Sequence, residues 1–367
     1  MERTGFRATR VTVLGAGLGA LLSLAVSAAS PPPSCAAELP PIPFSYRPTA
    51  LEEGLFAEAA AGQFDEFPLF DAALIASGVD DAKTLRRYDD QWAARVDELR
   101  RSQKVHGTPL AKAQAVFEFL HRRVLTGGYR LESTDLRDAL DRGRFNCVSA
   151  SVLFRCLAAE FGLAACGLEV PGHVMVRLRL ADGPFDVETT CARWFHLVGE
   201  EAPRDAKMGG PRRRREVSDI ELTAMIYYNR GIDLLAEKRF PQAAAANAKA
   251  LRLAPSNAVA RGNFLATLNN WAIDLGSSDH ETEAAALLRQ GMAIDPHYET
   301  FTVNYVHLHR QKVERLCALG RYSEAVGLLA QAAAEQPGIE YFRQAQAEVY
   351  RRWGRAVEGR RRAGSGP

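Results

Sequence analysis

Pro255, Pro296 and Pro337 stand 41 residues apart, and Ala243, Ala284 and Ala325 keep the same interval, each 12 residues before its proline. Proline fixes φ and removes a backbone donor, so a helix stops at or just before it. The segments Leu251 to Pro255, Met292 to Pro296 and Ala333 to Pro337 read as matching helix ends. A period between about 20 and 50 residues marks stacked supersecondary units, each burying its apolar face only against its neighbours. Residues 218–356 are therefore expected to form an all-α solenoid, with Ile339 to Trp353 as its closing helix and 357–367 as a disordered tail.

Upstream the pattern is different. Leu51 to Ala61 and Leu69 to Ala76 are helical candidates, and Asp80-Asp81 opens a long charged helix toward Val105. Leu85, Tyr88, Trp92, Val96 and Leu99 recur at three- and four-residue steps, which marks one core-facing stripe. Thr108-Pro109 is an N-cap followed by proline in the first helical position. His121 in the helix that follows reads as structural. Asp135 to Arg142 is a short helix. Leu163 to Val170, His173 to Leu180 and Phe185 to Thr189 read as strands of a small antiparallel sheet, the last two joined at Ala181-Asp182-Gly183-Pro184. Helices followed by strands predict an α+β core over residues 49–200.

The chemistry concentrates at Gly143-Arg144-Phe145-Asn146-Cys147. Cys147 opens an apolar helix running to about Phe161. A thiol at a helix N-terminus meets unsatisfied N–H groups and the positive end of the dipole, both of which favour the thiolate. The plainer reading is a small buried cysteine in a core helix. His173 then starts one strand and Asp186 lies in the next, with Glu188 on the same strand face. Nucleophile, base and orienting acid are the parts a thiol-based acyl transfer requires. Asn146 and the Cys147 N–H are the local donors for an oxyanion.

Asn146-Cys147, Pro171-Gly172-His173 and Phe185-Asp186-Val187-Glu188-Thr189 resemble the three motifs of the transglutaminase-like superfamily, in its bacterial branch. The resemblance covers residues 50–198 and implies a papain-like core. It implies Cys147 as nucleophile, His173 as base and Asp186 as orienting acid. Many relatives carry Asp-Pro where this chain has Asp186-Val187, so Glu188 replaces or assists Asp186. Gly231, Phe240 and Tyr322, with small residues at packing positions, resemble tetratricopeptide repeats, whose usual period is about 34. The longer spacing implies longer first helices or turns. Asn229, Asn263 and Asn304 fall where that repeat family often grips an extended peptide backbone. The other reading is three polar residues on a solvated face.

The formal net charge of +2 leaves no basic field for nucleic acid. Arg3, Arg7 and Arg10 precede an apolar, small-residue run from Val11 to Ala29, so residues 1–30 read as a signal peptide or, if uncleaved, an anchor. Residues 31–48 hold seven prolines and read as an extended spacer. Residues 201–217, with Gly209-Gly210-Pro211 and Arg212 to Arg215, read as an interdomain linker. An exported body follows: periplasmic, cell-surface or secreted, with a membrane tether only through the N-terminal segment. None of the six cysteines forms a C-x-x-C pair, so no metal or other cofactor is expected, while Cys166 and Cys191 could form one disulfide. Trp194 reads as packing on the sheet, and His196 as a weaker base than His173.

Two functions follow. One is an exported cysteine enzyme that attacks an amide of a protein or peptide substrate, with hydrolysis favoured over crosslinking and the repeats holding a protein partner. The other is a non-catalytic repeat scaffold with a degenerate core.

Overall fold

The computed structural model describes residues 46–102, 105–198 and 214–363. The chain is mostly helical with small sheets, an α+β part and a helical part. The export segment, most of the proline-rich spacer, Cys35 and residues 199–213 of the linker lie outside the described residues. No helix among the described residues is long and apolar enough to cross a membrane. The chain divides into two compact units, one ending at Thr267 and the other beginning at Leu268.

The first unit opens with α1 (Ala50–Ala61) and α2 (Leu69–Ala76). Thr49 and Glu52 form a capping box on α1, each side chain meeting the other's backbone N–H. Then come α3 (Ala82–Arg100), capped by Asp81, and α4 (Pro109–Arg123), capped by Thr108. The five-residue stripe of α3 is buried, as its spacing predicts. β1 (Gly128–Tyr129), α5 (Leu136–Arg142) and β2 (Arg144–Phe145) follow, with β1 and β2 paired in parallel. No sequence pattern marks that two-residue ladder. It holds the approach to Cys147: Gly143 turns out of α5 at φ +71°, and a Cβ there would lie 2.5 Å from the Gly127 nitrogen.

The centre of this unit is α6 (Cys147–Glu160). It is buried on every side as far as Ala158 except at Arg155, which explains a helix with so little polar surface. It packs against the antiparallel sheet of β3 (Ala165–Val170), β4 (His173–Leu180), β5 (Gly183–Val187) and β6 (Arg215–Val217), in the order β5-β4-β3-β6. Leu153, Phe154, Leu157, Leu168, Val176 and Leu178 meet in this core with no exposure. Each such side chain contributes about 1.5–3 kcal/mol of burial. Between β5 and β6 lies the short helix α7 (Trp194–Val198).

β6 corrects the linker expectation, because the last residues of that stretch are a strand. Gly167 pairs with Val217, and a Cβ on Gly167 would meet Val217 Cγ2 at 2.4 Å. Arg215 reaches Glu169 at 2.6 Å, and Arg179 reaches Glu216 at 2.7 Å, so cross-strand ion pairs fix the edge.

Next come α8 (Asp219–Ala236) and α9 (Phe240–Leu253), then α10 (Ala258–Ser277), which carries the chain into the second unit. The helical region was expected to begin as a separate domain at residue 218, but α8 and α9 belong to the first unit. The reason is a buried polar cluster on Glu52, 4% exposed. Its Oε1 accepts from Tyr227 Oη at 3.0 Å and from Lys249 Nζ at 2.6 Å. Arg230 also donates to the Ala76 carbonyl. The second unit holds α11 (Glu281–Ile294), α12 (Thr300–Ala318), α13 (Tyr322–Glu335) and α14 (Tyr341–Ala363). Its core includes Leu287, Phe301, Tyr305, Leu329 and Phe342. The 41-residue interval reappears in the structure: α9, α11 and α13 are each 14 residues long and start one interval apart. The first helices α8, α10 and α12 have 18, 20 and 19 residues, which accounts for the long period.

Candidate active site

Cys147 is the first residue of α6 because Asn146 caps the helix so completely. Asn146 Oδ1 accepts from Val148 N at 2.9 Å and Ser149 N at 3.1 Å, and Ser149 Oγ accepts from Asn146 N at 3.0 Å. The other end of the amide is equally committed: Nδ2 donates to the Leu131 carbonyl and to Thr134 Oγ1. Both amide hydrogens are therefore used, and Asn146 is 1% exposed. This corrects the expectation of Asn146 as an oxyanion donor. It positions Cys147 and has no hydrogen left to give. The cap takes the second and third N–H groups of the helix and leaves that of Cys147 itself unclaimed by the cap.

His173 begins β4, and its ring sits between two partners. Nε2–H donates to Glu188 Oε2 at 2.7 Å, since an ionised carboxylate only accepts. That leaves Nδ1 as the ring nitrogen not engaged by the carboxylate, and the Cys147 thiol acts on the ring from the wall of the same cavity. Burial works against charge on the ring, but the hydrogen bonds and charges of Cys147 and Glu188 outweigh it and push the imidazole up to about 10. Burial likewise opposes the Glu188 charge, yet His173 and Thr190 hold its carboxyl below the usual range. Thr190 donates to Glu188 Oε1 from both N–H, at 3.0 Å, and Oγ1, at 2.6 Å.

Of the two carboxylates the sequence offers, Glu188 meets the His173 ring and Asp186, the first choice, does not. Asp186 accepts from Arg177 Nε at 2.7 Å and Nη2 at 2.9 Å, and from Arg214 Nη1 at 3.2 Å. Register is the cause. Arg177 faces Asp186 and Val176 faces Val187, so continuing the ladder puts Thr190 opposite His173. At about 3.4 Å per residue, Asp186 is roughly 13 Å along the strand from that point, whereas Glu188 is roughly 7 Å away, within diagonal reach.

Four hydroxyl residues that the sequence did not single out hold these pieces in place. Ser151 Oγ donates to the Val174 carbonyl at 3.3 Å and lies 2.8 Å from Thr189 Oγ1, so α6 is pinned beside His173 and beside Glu188. Thr134 anchors Asn146, and Thr190 anchors Glu188. The only sequence signal for them is the run Glu188-Thr189-Thr190. His121 is structural as expected: its Nε2–H donates to the Thr189 carbonyl at 3.0 Å, and burial lowers its pKa. Trp194 is buried and donates to the Asp186 carbonyl at 3.1 Å, while His196 is exposed on α7.

A cavity of about 220 Å³ opens beside Cys147 and His173, walled by Val170 and Gly172 at the β3–β4 turn and by Met225, Tyr228 and Asn229 of α8. Of the three asparagines expected to bind a peptide, only Asn229 reaches this site, where its Nδ2 donates to Thr134 Oγ1 at 3.3 Å. Asn263 and Asn304 are corrected: they are 2% and 4% exposed, inside the helix packing rather than on a solvated face. Asn304 Nδ2 donates to Asn269 Oδ1 at 2.8 Å. A larger cleft of about 790 Å³ around Asp71, Trp92 and Cys156 lies at the other end of α6. All five cysteines among the described residues are free, so the Cys166–Cys191 disulfide is not formed. Burial pushes the Cys156 thiol far up, which makes it inert beside Cys147. Among the described residues no group of three His, Cys, Asp or Glu side chains is placed to hold a metal ion.

The chain matches no family model, no curated protein and no solved structure.

Proposed function

We propose that this protein is an exported, transglutaminase-like cysteine enzyme that cleaves an amide of a protein or peptide through a thioester on Cys147. The observation that supports it is the His173 ring, hydrogen-bonded to Glu188 at 2.7 Å and lining one cavity with Cys147, the residue that opens α6. The imidazole takes the thiol proton, and Glu188 holds the ring in the tautomer that makes this possible. Sulfur attacks the carbonyl carbon, and the N–H of Cys147 faces the developing oxyanion. The amine leaves with the proton from His173. Water then gives a proton back to His173 as its oxygen attacks the thioester, releasing acid and free sulfur. Glu188 takes the place that the family resemblance gave to Asp186. The tetratricopeptide-like helices carry the partner surface, and Asn229 is the one candidate contact that adjoins the site.

Alkylation tests this reading. With iodoacetamide at neutral pH, Cys147 is expected to label at least tenfold faster than Cys156 and Cys317, and His173→Ala is expected to abolish the advantage. Equal rates, unchanged in His173→Ala, would return the chain to the alternative of a repeat scaffold with an idle core.

A further inference from the structure

The cavity beside Cys147 and His173 is built for something uncharged. Its walls are Val148 from α6, Val170 from the end of β3, Met225 and Tyr228 from α8, and Val259 from α10. Met225, Tyr228 and Val148 are 1%, 8% and 4% exposed, so this surface is held away from bulk water. The one carboxylate at the rim, Glu169, is neutralised by Arg215 at 2.6 Å. Tyr228 adds a phenol that burial, and the charges of Glu169 and Cys147 after it, keep neutral. An ionic side chain entering here would lose its hydration, and the charges that line the cavity are already paired, His173 with Glu188 and Glu169 with Arg215.

Size narrows the class further. A volume of about 220 Å³ is small beside a drug-sized pocket of about 300–1,000 Å³ and equals roughly seven water-sized volumes at about 30 Å³ each. That admits one aliphatic chain of roughly six heavy atoms and excludes a folded surface or a whole peptide.

We infer that this cavity is the acyl subsite and selects an apolar acyl group, of medium-sized aliphatic side-chain dimensions, for transfer to Cys147. The inference rests on the cysteine-enzyme reading and names its substrate class. It also assigns specificity to α8 and α10, which supply no part of the cysteine–histidine–glutamate set. Met225 and Val259 set the depth of the subsite, and Tyr228 and Asn229 supply polar groups on its α8 wall.

The test uses the whole chain and a series of 4-nitrophenyl esters: acetate, butyrate, hexanoate, decanoate and the charged glutarate. The readouts are the pre-steady-state release of nitrophenolate and the mass of acylated Cys147, with Cys147→Ala as blank. The leaving group is constant, so its own binding cancels in the ratios. The acylation rate should rise by up to about fourfold per methylene from acetate to hexanoate, as burial of each methylene predicts. It should fall at decanoate, and glutarate should be slower than butyrate. Met225→Trp, or Val259→Phe if the first does not fold, should cut the hexanoate-to-acetate ratio at least tenfold by filling the cavity. Acylation of Cys147 that stays within twofold across the series, or that favours glutarate, overturns the subsite and leaves the enzyme reading standing. The absence of a Cys147-dependent burst with any ester removes both.

Discussion

Replacing Glu188 by glutamine deletes one charge and inverts one hydrogen bond. The carboxylate accepts from His173 at 2.7 Å and twice from Thr190, and its side chain is 7% exposed. A glutamine can keep Thr190 through its oxygen, but the group it then turns toward His173 is a donor. Nε2 must stop donating. The neutral ring formed once its proton has gone to the leaving amine then keeps its remaining proton on Nδ1, facing the sulfur, where it cannot accept one from water. A hydrogen bond to a charged group is worth about 1.5–3 kcal/mol. One pH unit of pKa corresponds to about 1.36 kcal/mol. The imidazole of Glu188→Gln should therefore titrate one to two pH units below its present value of about 10. Acylation of Cys147 should slow by roughly 10²–10⁴. Labelled-histidine NMR reads the first effect and the ester burst reads the second. Stability follows the same pair. The imidazole is raised above its ordinary value of about 6.5, so its stabilising contribution is complete below that pH and lost as pH climbs through about 10. Glu188 is lowered, so its contribution fades only as pH falls through its depressed carboxyl value. The unfolding free energies of wild type and Glu188→Gln should converge toward pH 10. Asp186→Asn is the control: losing part of its bond to Arg177 should cost about 1–3 kcal/mol of stability and leave the His173 titration where it is. If Asp186→Asn abolishes acylation while Glu188→Gln preserves it, the assignment drawn from the strand register is wrong.

Asn146→Ala removes the cap of α6 and its two anchors, so it should lower stability by about 1–2 kcal/mol and slow Cys147 acylation; thermal melting and the ester burst check the two together. Asp71 is pushed up to about 7 by burial, then by its hydrogen bond to Asp89 and that neighbour's charge. A raised carboxyl makes the fold less stable as pH rises from about 4 to about 7, so Asp71→Asn should raise the melting temperature at pH 8, by about 1–2 kcal/mol of stability, and change little at pH 4. A gain of equal size at both pH values would reject that origin.

Much of this was readable before any coordinates. The α3 stripe, the Thr108-Pro109 start, the helix beginning at Cys147 and the 41-residue interval are local or periodic signals, and local backbone chemistry decides them. The choice between Asp186 and Glu188 is of another kind. Both lie on one strand face, and only the pairing of Val176 with Val187 decides which reaches His173. Asn146 shows the same limit. An asparagine before a helix serves equally as cap or as donor until Leu131 and Thr134 are seen to take its hydrogens. Asn263 and Asn304 have the spacing of an exposed series, but which face of a helix is exposed depends on the helices packed against it. The strand at Arg215–Val217 was hidden because three residues that begin on the last arginine of a run carry no periodicity of their own, and cross-strand pairs with Glu169 and Arg179 make it a strand.

Glu52 ties the start of the core to α8 and α9, and α8 in turn closes one side of the cavity beside the sulfur. A chain cut before Ser218 would thus keep its cysteine, histidine and glutamate yet leave a buried carboxylate without its lysine and an apolar trough open to water. The compact unit that holds the whole of this cavity extends to Thr267. On the proposed acyl-subsite reading, selectivity can consequently drift through changes in helices that supply none of the cysteine, histidine and glutamate.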